Sequence, residues 1–270
     1  MDELIATAHE LTIEIGGMPI VVRTGSEEFA HLLQSRYGGF VSHDGAPPAY
    51  ELEVELAPPG AVSDADDVEV RRESGRWVME RGDFRAEWDP RRREGWVRQT
   101  ANPYSIDCVL RILHSLILAR EGGFLVHAAS AIRHGRAYLF AGVSGAGKTT
   151  LSRLAPPDVA LLTDEISYVR RRGTGYEAFG TPFAGELARI GENLRAPLAT
   201  LFLLAQGPEN RIEPVDQSEA VHALLRHILF FAQDDEMVHQ IFESTFDFVS
   251  RVPVRRLVFT PDSRVWELIV

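Results

Sequence analysis

The stretch RAYLFAGVSGAGKTTLSRL, residues 136–154, decides how the rest of the chain is interpreted. An apolar run typical of a strand leads into GVSGAGKT at Gly142–Thr149, and a short helical pattern follows. The fixed positions match G-x-x-x-x-G-K-[ST], the Walker A or P-loop pattern. Because the motif joins a strand to a helix, we predict a loop that wraps phosphate oxygens.

Each part of this motif supplies a different chemical group. Glycines let successive backbone N–H groups approach a phosphate, and the helix N-terminus adds partial positive charge. Lys148 is predicted to contact the outer phosphates, and Thr149 to bind Mg²⁺ through its hydroxyl. A glycine-rich turn that only connects two elements is the alternative, and it does not account for the Lys and Thr. The predicted nucleotide-binding residues are Gly142, Val143, Ser144, Gly145, Ala146, Gly147, Lys148, Thr149 and Thr150.

A pair of carboxylates follows the loop. Pro156-Pro157 should end the helix by about Leu154, and the strand VALLT then leads to Asp164 and Glu165. If this strand is parallel to the one before the loop, both carboxylates reach the phosphate edge of the sheet. We predict Asp164 as the base for an attacking hydroxyl, and both acids, with Thr149, as candidate Mg²⁺ ligands. A solvated acidic turn is the alternative.

This region resembles the P-loop kinase core of bacterial HPr kinase/phosphorylase, whose distant relative is ATP-dependent phosphoenolpyruvate carboxykinase. A hairpin leads directly into the P-loop, and Val126-His127 opens that hairpin, with His127 fifteen positions before Gly142. A short helix then leads to Asp164-Glu165. The similarity covers about residues 124–182. The resemblance implies transfer of the ATP γ-phosphoryl group to a serine hydroxyl, with Asp164 as base and His127 as its helper.

The segment FGTPFAGEL, Phe179–Leu187, stands where true HPr kinase/phosphorylases carry a glycine- and arginine-rich signature. It is more similar to divergent relatives, some of which phosphorylate free serine or serine in small peptides. Thr181 offers a hydroxyl that could frame an acceptor, and Arg189 or Arg195 are candidates for contacting the transferred phosphoryl group. The metal-binding Lys and His residues of phosphoenolpyruvate carboxykinase cannot be placed, so that activity is not expected.

Pattern changes divide the chain into three predicted parts. Residues 1–100 alternate as strands around one helix, for which Ser26 is the predicted N-cap. Residues 101–123 form a bridging helix capped by Asn102, and residues 124–270 form the P-loop kinase-like domain. The predicted fold class is α/β, with a P-loop kinase core of the HPr kinase/phosphoenolpyruvate carboxykinase type and a mixed sheet. A smaller N-terminal antiparallel α+β subdomain is predicted to precede it.

Three elements are predicted near the C-terminus. Residues 216–231 are interpreted as a helix, capped by Asp216 or Ser218. Residues 254–259 and 264–270 are interpreted as two strands separated by a turn.

Composition excludes several classes of protein. A net charge of −11 argues against binding nucleic acid or an anionic membrane as the main role. The single cysteine, Cys108, rules out an internal disulfide and a zinc ribbon. The N-terminus lacks the apolar core of a signal peptide, and no apolar run approaches the length of a bilayer span. These features lead us to expect a cytoplasmic protein.

The sequence therefore predicts an enzyme, an ATP-dependent kinase with an alcohol group as acceptor. ATP and Mg²⁺ are the predicted cofactors, and a serine-type hydroxyl of a small molecule, peptide or protein is the predicted acceptor. An acidic surface repels a strongly anionic protein partner, which favours a small molecule or short peptide. No nucleic-acid or membrane partner is expected, and a homo-oligomer is left open. Two alternatives stay open: a non-catalytic nucleotide-binding module or scaffold in a peptide-modification pathway, and a regulatory HPr-type protein serine kinase.

Overall fold

The structure is a computed structural model that describes residues 8–58, 67–183 and 191–270. The chain divides into two compact units. The first contains residues 1–113 and 231–234, and the second contains residues 114–230 and 235–270. The boundary between them falls inside helix α2 (Pro103–Glu121). Each unit is built on its own mixed sheet.

The part of the first unit that the structure describes contains a seven-stranded sheet and helix α1 (Glu27–Arg36). Its strands are β1 (His9–Ile15), β2 (Met18–Thr24), β3 (Tyr50–Leu56), β4 (Glu69–Glu73), β5 (Arg76–Arg81), β6 (Phe84–Asp89) and β7 (Glu94–Gln99). They lie in the order β1-β2-β3-β7-β6-β5-β4. Tyr37 and the α1 residue Arg36 both donate hydrogen bonds to the buried carboxylate of Asp107 on α2.

The prediction of an antiparallel N-terminal sheet is wrong, because β3 runs parallel to both β2 and β7. Parallel neighbours need a crossover connection, and α1 provides one between β2 and β3. The hairpins of β4, β5 and β6 then return the chain so that β7 lies beside β3. The helix itself is confirmed with its cap, since Ser26 Oγ accepts a 3.2 Å hydrogen bond from Phe29 N.

In its described residues, the second unit contains a nine-stranded sheet and three helices beyond α2. Its strands are β8 (Phe124–Arg133), β9 (Arg136–Ala141), β10 (Ala160–Thr163), β11 (Ile166–Arg172), β12 (Gly175–Phe179), β13 (Arg195–Gln206), β14 (Arg211–Pro214), β15 (Ile228–Leu229) and β16 (Val254–Phe259). Its helices are α3 (Lys148–Arg153), α4 (Gln217–His227) and α5 (Asp235–Arg251). Among the described residues, no helix is long and apolar enough to cross a membrane.

The predicted hairpin before the Walker A segment is confirmed as β8 and β9. The turn uses His134 and Gly135, both with positive φ, as a tight two-residue hairpin requires. Strands β8, β11, β12, β13 and β9 pair one after another into a closed ring. On the far side of β9, strands β13 and β16 continue in the same direction as β9. The ends of β9, β13 and β16 therefore lie along one edge.

One hydrophobic cluster fixes α3 on the sheet. It joins the face of β8 that carries Ala129 and Ala131 to Leu151 of α3. Trp266 lies in the same cluster, with its indole N–H donating to Leu151 O at 3.2 Å and its ring edge-on to Phe140 at 5.5 Å. The position of α3 thus depends on a side chain from the C-terminal end of the described chain.

The prediction of a strand over residues 264–270 is wrong. The segment forms a 3-10 helix at Ser263–Leu268, and Asp262 caps it by accepting a hydrogen bond from Arg264 N. Val265 and its neighbour Trp266 are both buried. In a strand with one solvent-exposed face, two successive side chains would point to opposite faces and only one of them would be buried. Apolar composition alone led to the strand interpretation.

The helix predicted over residues 216–231 is shorter than expected. Asp216 is confirmed as its cap, but α4 ends at His227 because Ile228 and Leu229 pair with β8. Helix α5 was not predicted, although Met237, Ile241 and Phe248 bury one face at helical spacing.

We expect Trp266→Ala to lower the free energy of unfolding by about 3–5 kcal/mol, since it removes a large buried side chain and leaves a cavity. Phe246→Ala is the control, because Phe246 is half exposed on α5 and its loss should cost about 0.5 kcal/mol or less. Urea denaturation of both variants measures the difference. Equal effects would show that Trp266 does not hold the α3 cluster together.

A fully buried histidine, His114, lies on α2 with its Nδ1 3.1 Å from the Tyr168 hydroxyl. Burial mainly, and the charge of Arg170 secondarily, lower the pKa of His114 to about 3. In the unfolded chain a histidine has a pKa of about 6.5, so between these values only the unfolded state binds the proton. Stability contributed by this site is therefore complete above about pH 6.5 and is lost as pH falls.

We expect the free energy of unfolding to fall by about 2 kcal/mol as the pH is lowered from 7.5 to 5, because of this histidine. His114→Gln, which retains a polar group beside Tyr168, should remove that part of the acid dependence. His239→Gln on the exposed face of α5 should leave the dependence unchanged. The measurement is urea unfolding at several pH values, and parallel curves for wild type and His114→Gln would contradict the assignment.

Candidate functional site

Two strand ends bring the predicted site residues together. Both β9 and β10 run antiparallel to β8, so they point the same way. Ala141 ends β9 opposite Ala128, and Thr163 ends β10 opposite Ser130. Neighbouring strands are about 4.8 Å apart and the two ends are offset by two residues along β8, so they lie about 12 Å apart with β8 between them. The Walker A segment and Asp164-Glu165 therefore leave the same edge of the sheet.

The glycine-rich loop (residues 142–149) uses left-handed backbone at two positions. Gly145 has φ +77° and Gly147 has φ +108°. A Cβ at Gly147 would lie 2.6 Å from the ring of Phe259, so both the backbone and the packing require glycine there. Gln206, at the end of β13, donates its amide N–H to Gly145 O at 2.8 Å and supports the loop from outside.

Lys148 begins α3 and is buried. Its ammonium donates to Gly142 O at 2.8 Å, so the side chain folds back along the loop. The helix that follows is only six residues long and ends before Leu154, which confirms the predicted stop. The cation is thus held where the loop begins.

The acidic pair interrupts the pairing along one edge of β8. Thr163 Oγ1 accepts hydrogen bonds from the N–H groups of Glu165 and Ile166 at 3.2 and 3.3 Å. This local turn ends β10 and lets the chain resume as β11, so both carboxyl groups lie outside the ladder. Asp164 is buried, and about a third of the Glu165 side chain is exposed.

His127 contacts the second acid of the pair. Its Nε2 lies 3.2 Å from Glu165 Oε1, because His127 pairs directly with Ile166 across the β8–β11 ladder. The resemblance to HPr kinases implies His127 as a helper of Asp164. In this structure, the side-chain contact of His127 is with Glu165.

A second histidine was missed by the sequence analysis. Strand β15 pairs with β8 so that Ile228 lies opposite Val126, which places His227 at the level of His127. The two rings are 6.5 Å apart. Burial, and then the charges of His127 and Lys148, lower the pKa of His227, which favours its neutral form. The two histidines are far apart in sequence, so no local spacing could have revealed the pair.

The segment after β12 also differs from expectation. Thr181 is fully buried and its hydroxyl donates to Ile166 O at 2.8 Å, so it is not available to frame an acceptor. The rest of the FGTPFAGEL segment from Ala184, and Arg189, lie outside the described residues. Arg195 lies at the start of β13, with its guanidinium over the Phe179 ring. It is about 26 Å along β13 from Leu203, the residue that pairs with Ala141 at the beginning of the loop, so it lies far from the loop.

The donor set near the loop suits a hard cation. Mg²⁺ is usually held by one or two carboxylates and a hydroxyl together with substrate phosphates. Thr149, Asp164 and Glu165 provide those oxygen donors at one sheet edge. Within the described parts of the chain, no cluster of three or more His, Cys, Asp or Glu residues forms a complete protein-only metal site. The three oxygen donors are of the kind that Mg²⁺ prefers.

Comparison with known proteins places the chain in a family. No curated protein sequence matches it. Among solved structures, the Hpr(Ser) kinase/phosphatase from Coxiella burnetii matches 50% of this chain and 84% of its own, with 10% identity and a TM-score of 0.27. That similarity is too low to support a functional conclusion. The family model described as SynChlorMet cassette protein ScmC matches residues 102–270, more than half of the chain. The chain belongs to the ScmC family of SynChlorMet cassette proteins.

Proposed function

We propose that this protein is a Mg-ATP-dependent phosphotransferase that moves the γ-phosphoryl group to a serine-type hydroxyl of a small molecule or peptide. One observation carries the proposal: the glycine-rich loop with Lys148 and the pair Asp164-Glu165 leave the same edge of one sheet. A phosphate donor and a proton acceptor are needed within reach of each other for this reaction. In this proposal both come from strands that flank β8, the loop from β9 and the acidic pair from β10.

The loop binds the phosphate chain in this proposal. Its backbone N–H groups and the N-terminus of α3 attract phosphate oxygens, and Lys148 moves from Gly142 O to the outer phosphates. Bound Mg²⁺ supplies further neutralisation of the phosphate charge. Thr149 and Glu165 would hold that ion through their oxygens. Catalysis is then mostly positioning and charge stabilisation.

Asp164 accepts the proton of the acceptor hydroxyl. The hydroxyl oxygen forms a bond to the γ-phosphorus while the bond to the β,γ-bridging oxygen breaks, and ADP is the leaving group. The proton passes to the Asp164 carboxylate, which must lie about 3 Å from the hydroxyl. Glu165, in contact with His127, acts as metal ligand or second acid. His127 positions that carboxylate.

The acceptor is proposed to be small. The net charge of −11 opposes docking of a strongly anionic carrier protein. The family name places the protein among the products of a cassette, which fits a role in a shared modification pathway. A serine-bearing peptide or free serine satisfies both points.

Replacing Lys148 with alanine should weaken ATP binding at least tenfold, a loss of about 1.4 kcal/mol, because the outer phosphates lose their cation. Lys148→Arg should not restore full affinity, since a planar guanidinium does not replace a compact ammonium. Arg153→Ala removes the same charge from the exposed end of α3 and serves as control. Calorimetry with Mg-ATP measures all three. Unchanged affinity in Lys148→Ala would remove the basis of the proposal.

Asp164→Asn should retain ATP binding and reduce phosphate transfer by about 10²-fold or more, since only the proton acceptor is lost. Asp158→Asn, on an exposed carboxylate just before β10, is the control. Transfer is read by mass spectrometry with Mg-ATP and a panel of free serine, serine-ended peptides and HPr. ATP binding without any turnover in the wild type would favour the non-catalytic module. Labelling of HPr alone would contradict the small-acceptor proposal.

A further inference from the structure

A cavity of about 430 Å³ adjoins the glycine-rich loop on the side away from the acidic pair. It is within the size range of small-molecule sites. Gly147 and Thr150 are the predicted nucleotide-binding residues that line it, and neither acid of the pair contributes. It is lined by Gly147, Thr150, Gln206, Pro208, Phe259 and Pro261.

The order of the strands fixes where this cavity lies. Pairing runs β10-β8-β9-β13-β16, and the loop follows β9 in the middle of that series. The acidic pair follows β10, two strands to one side. The cavity lies past the ends of β13 and β16, on the other side. The loop therefore lies between the acidic pair and the cavity.

We propose that this cavity, here called the base pocket, holds the base and ribose of the bound nucleotide, an inference that rests on the proposed function. Transfer requires the γ-phosphate to face Asp164. A triphosphate wrapped by the loop in that direction leaves its α-phosphate and nucleoside on the opposite side. The base pocket is a cavity on that side.

The walls of the base pocket suit a flat aromatic ring. Pro208 and Pro261 are exposed apolar side chains, and Phe259 lies almost fully buried beneath them. Stacking against apolar and aromatic faces stabilises any of the bases, because each has a π-face. The six lining residues named above, all within the described ranges, carry no charge. Gln206, the longest polar side chain among them, already donates to Gly145 O.

This lining predicts weak discrimination between purines. Strong selection of a base requires hydrogen-bonding side chains aimed at its edge, which are left unpaired when the wrong base binds. Thr150 is the remaining polar side chain in the lining, and one hydroxyl serves as donor or acceptor equally well. The base pocket should therefore accept ATP and GTP with similar affinity.

The pocket walls are held in place before any ligand binds. Gly207 N donates to Phe259 O at 3.1 Å, and Thr260 N donates to Asn210 Oδ1 at 3.0 Å. These bonds join the segment after β13 to the segment after β16. Binding therefore costs little ordering of the protein, which favours affinity.

The test compares Mg-ATP with inorganic tripolyphosphate, which has the phosphates and no nucleoside. Calorimetry on the wild type should show ATP binding at least about tenfold tighter than tripolyphosphate, as expected for one stacked base. Pro261→Trp, which fills the pocket, should remove that advantage and leave tripolyphosphate affinity unchanged. Pro253→Trp places the same side chain at the exposed opposite end of β16 and should change neither affinity.

Each result separates the two proposals. Equal affinity of the wild type for ATP and tripolyphosphate would overturn the base pocket while leaving phosphate binding by the loop intact. Full ATP affinity in Pro261→Trp would overturn it as well. Binding of neither ligand by the wild type would overturn the proposed function itself. Affinities for ATP and GTP that differ by more than about thirtyfold would contradict the inferred tolerance of bases.

Discussion

The pairing of β8 with a different strand on each edge is the constraint on which the candidate site depends. On one edge lies β9, which delivers the glycine-rich loop, and on the other lies β10, which delivers Asp164 and Glu165. Alternation along β8 also places His127 on the same face as Ala129 and Ala131, the face that α3 covers. If β8 shifted by one residue relative to its neighbours, its side chains would exchange faces and His127 would point to the other side of the sheet. The geometry of the site is therefore a property of strand register.

The small residues of β8 have a part in this arrangement. Ala128, Ala129 and Ala131 are all buried, and alanine lets neighbouring layers approach closely. Leu151 and Trp266 fill the space above them, so the short α3 is held by packing. A helix of six residues has little stability alone. The position of Lys148 at its start is consequently fixed by tertiary contacts from distant parts of the chain.

Features with local causes could be predicted from the sequence, and features with distant causes could not. The caps at Ser26 and Asp216 and the stop of α3 depend on neighbouring residues, and each follows prediction. The parallel pairing of β3 depends on a crossover, which local alternation does not reveal. His227 came beside His127 only through the β15 ladder. The Thr181 hydroxyl was expected at the acceptor, but the fold uses it to satisfy a buried carbonyl.

The cation in the glycine-rich loop has one more property. Lys148 is the only lysine in the 270 residues, although the chain has 28 Lys and Arg residues in total. The other 27 of these residues are arginines, whose planar guanidinium groups form the surface ion pairs. The buried position 148 has the compact ammonium group of a lysine instead. The side chains of the whole protein therefore offer one primary amine. For reagents that acylate or reductively alkylate amines, Lys148 is therefore the single side-chain target, and its modification can be distinguished from that of the α-amino group by peptide mapping.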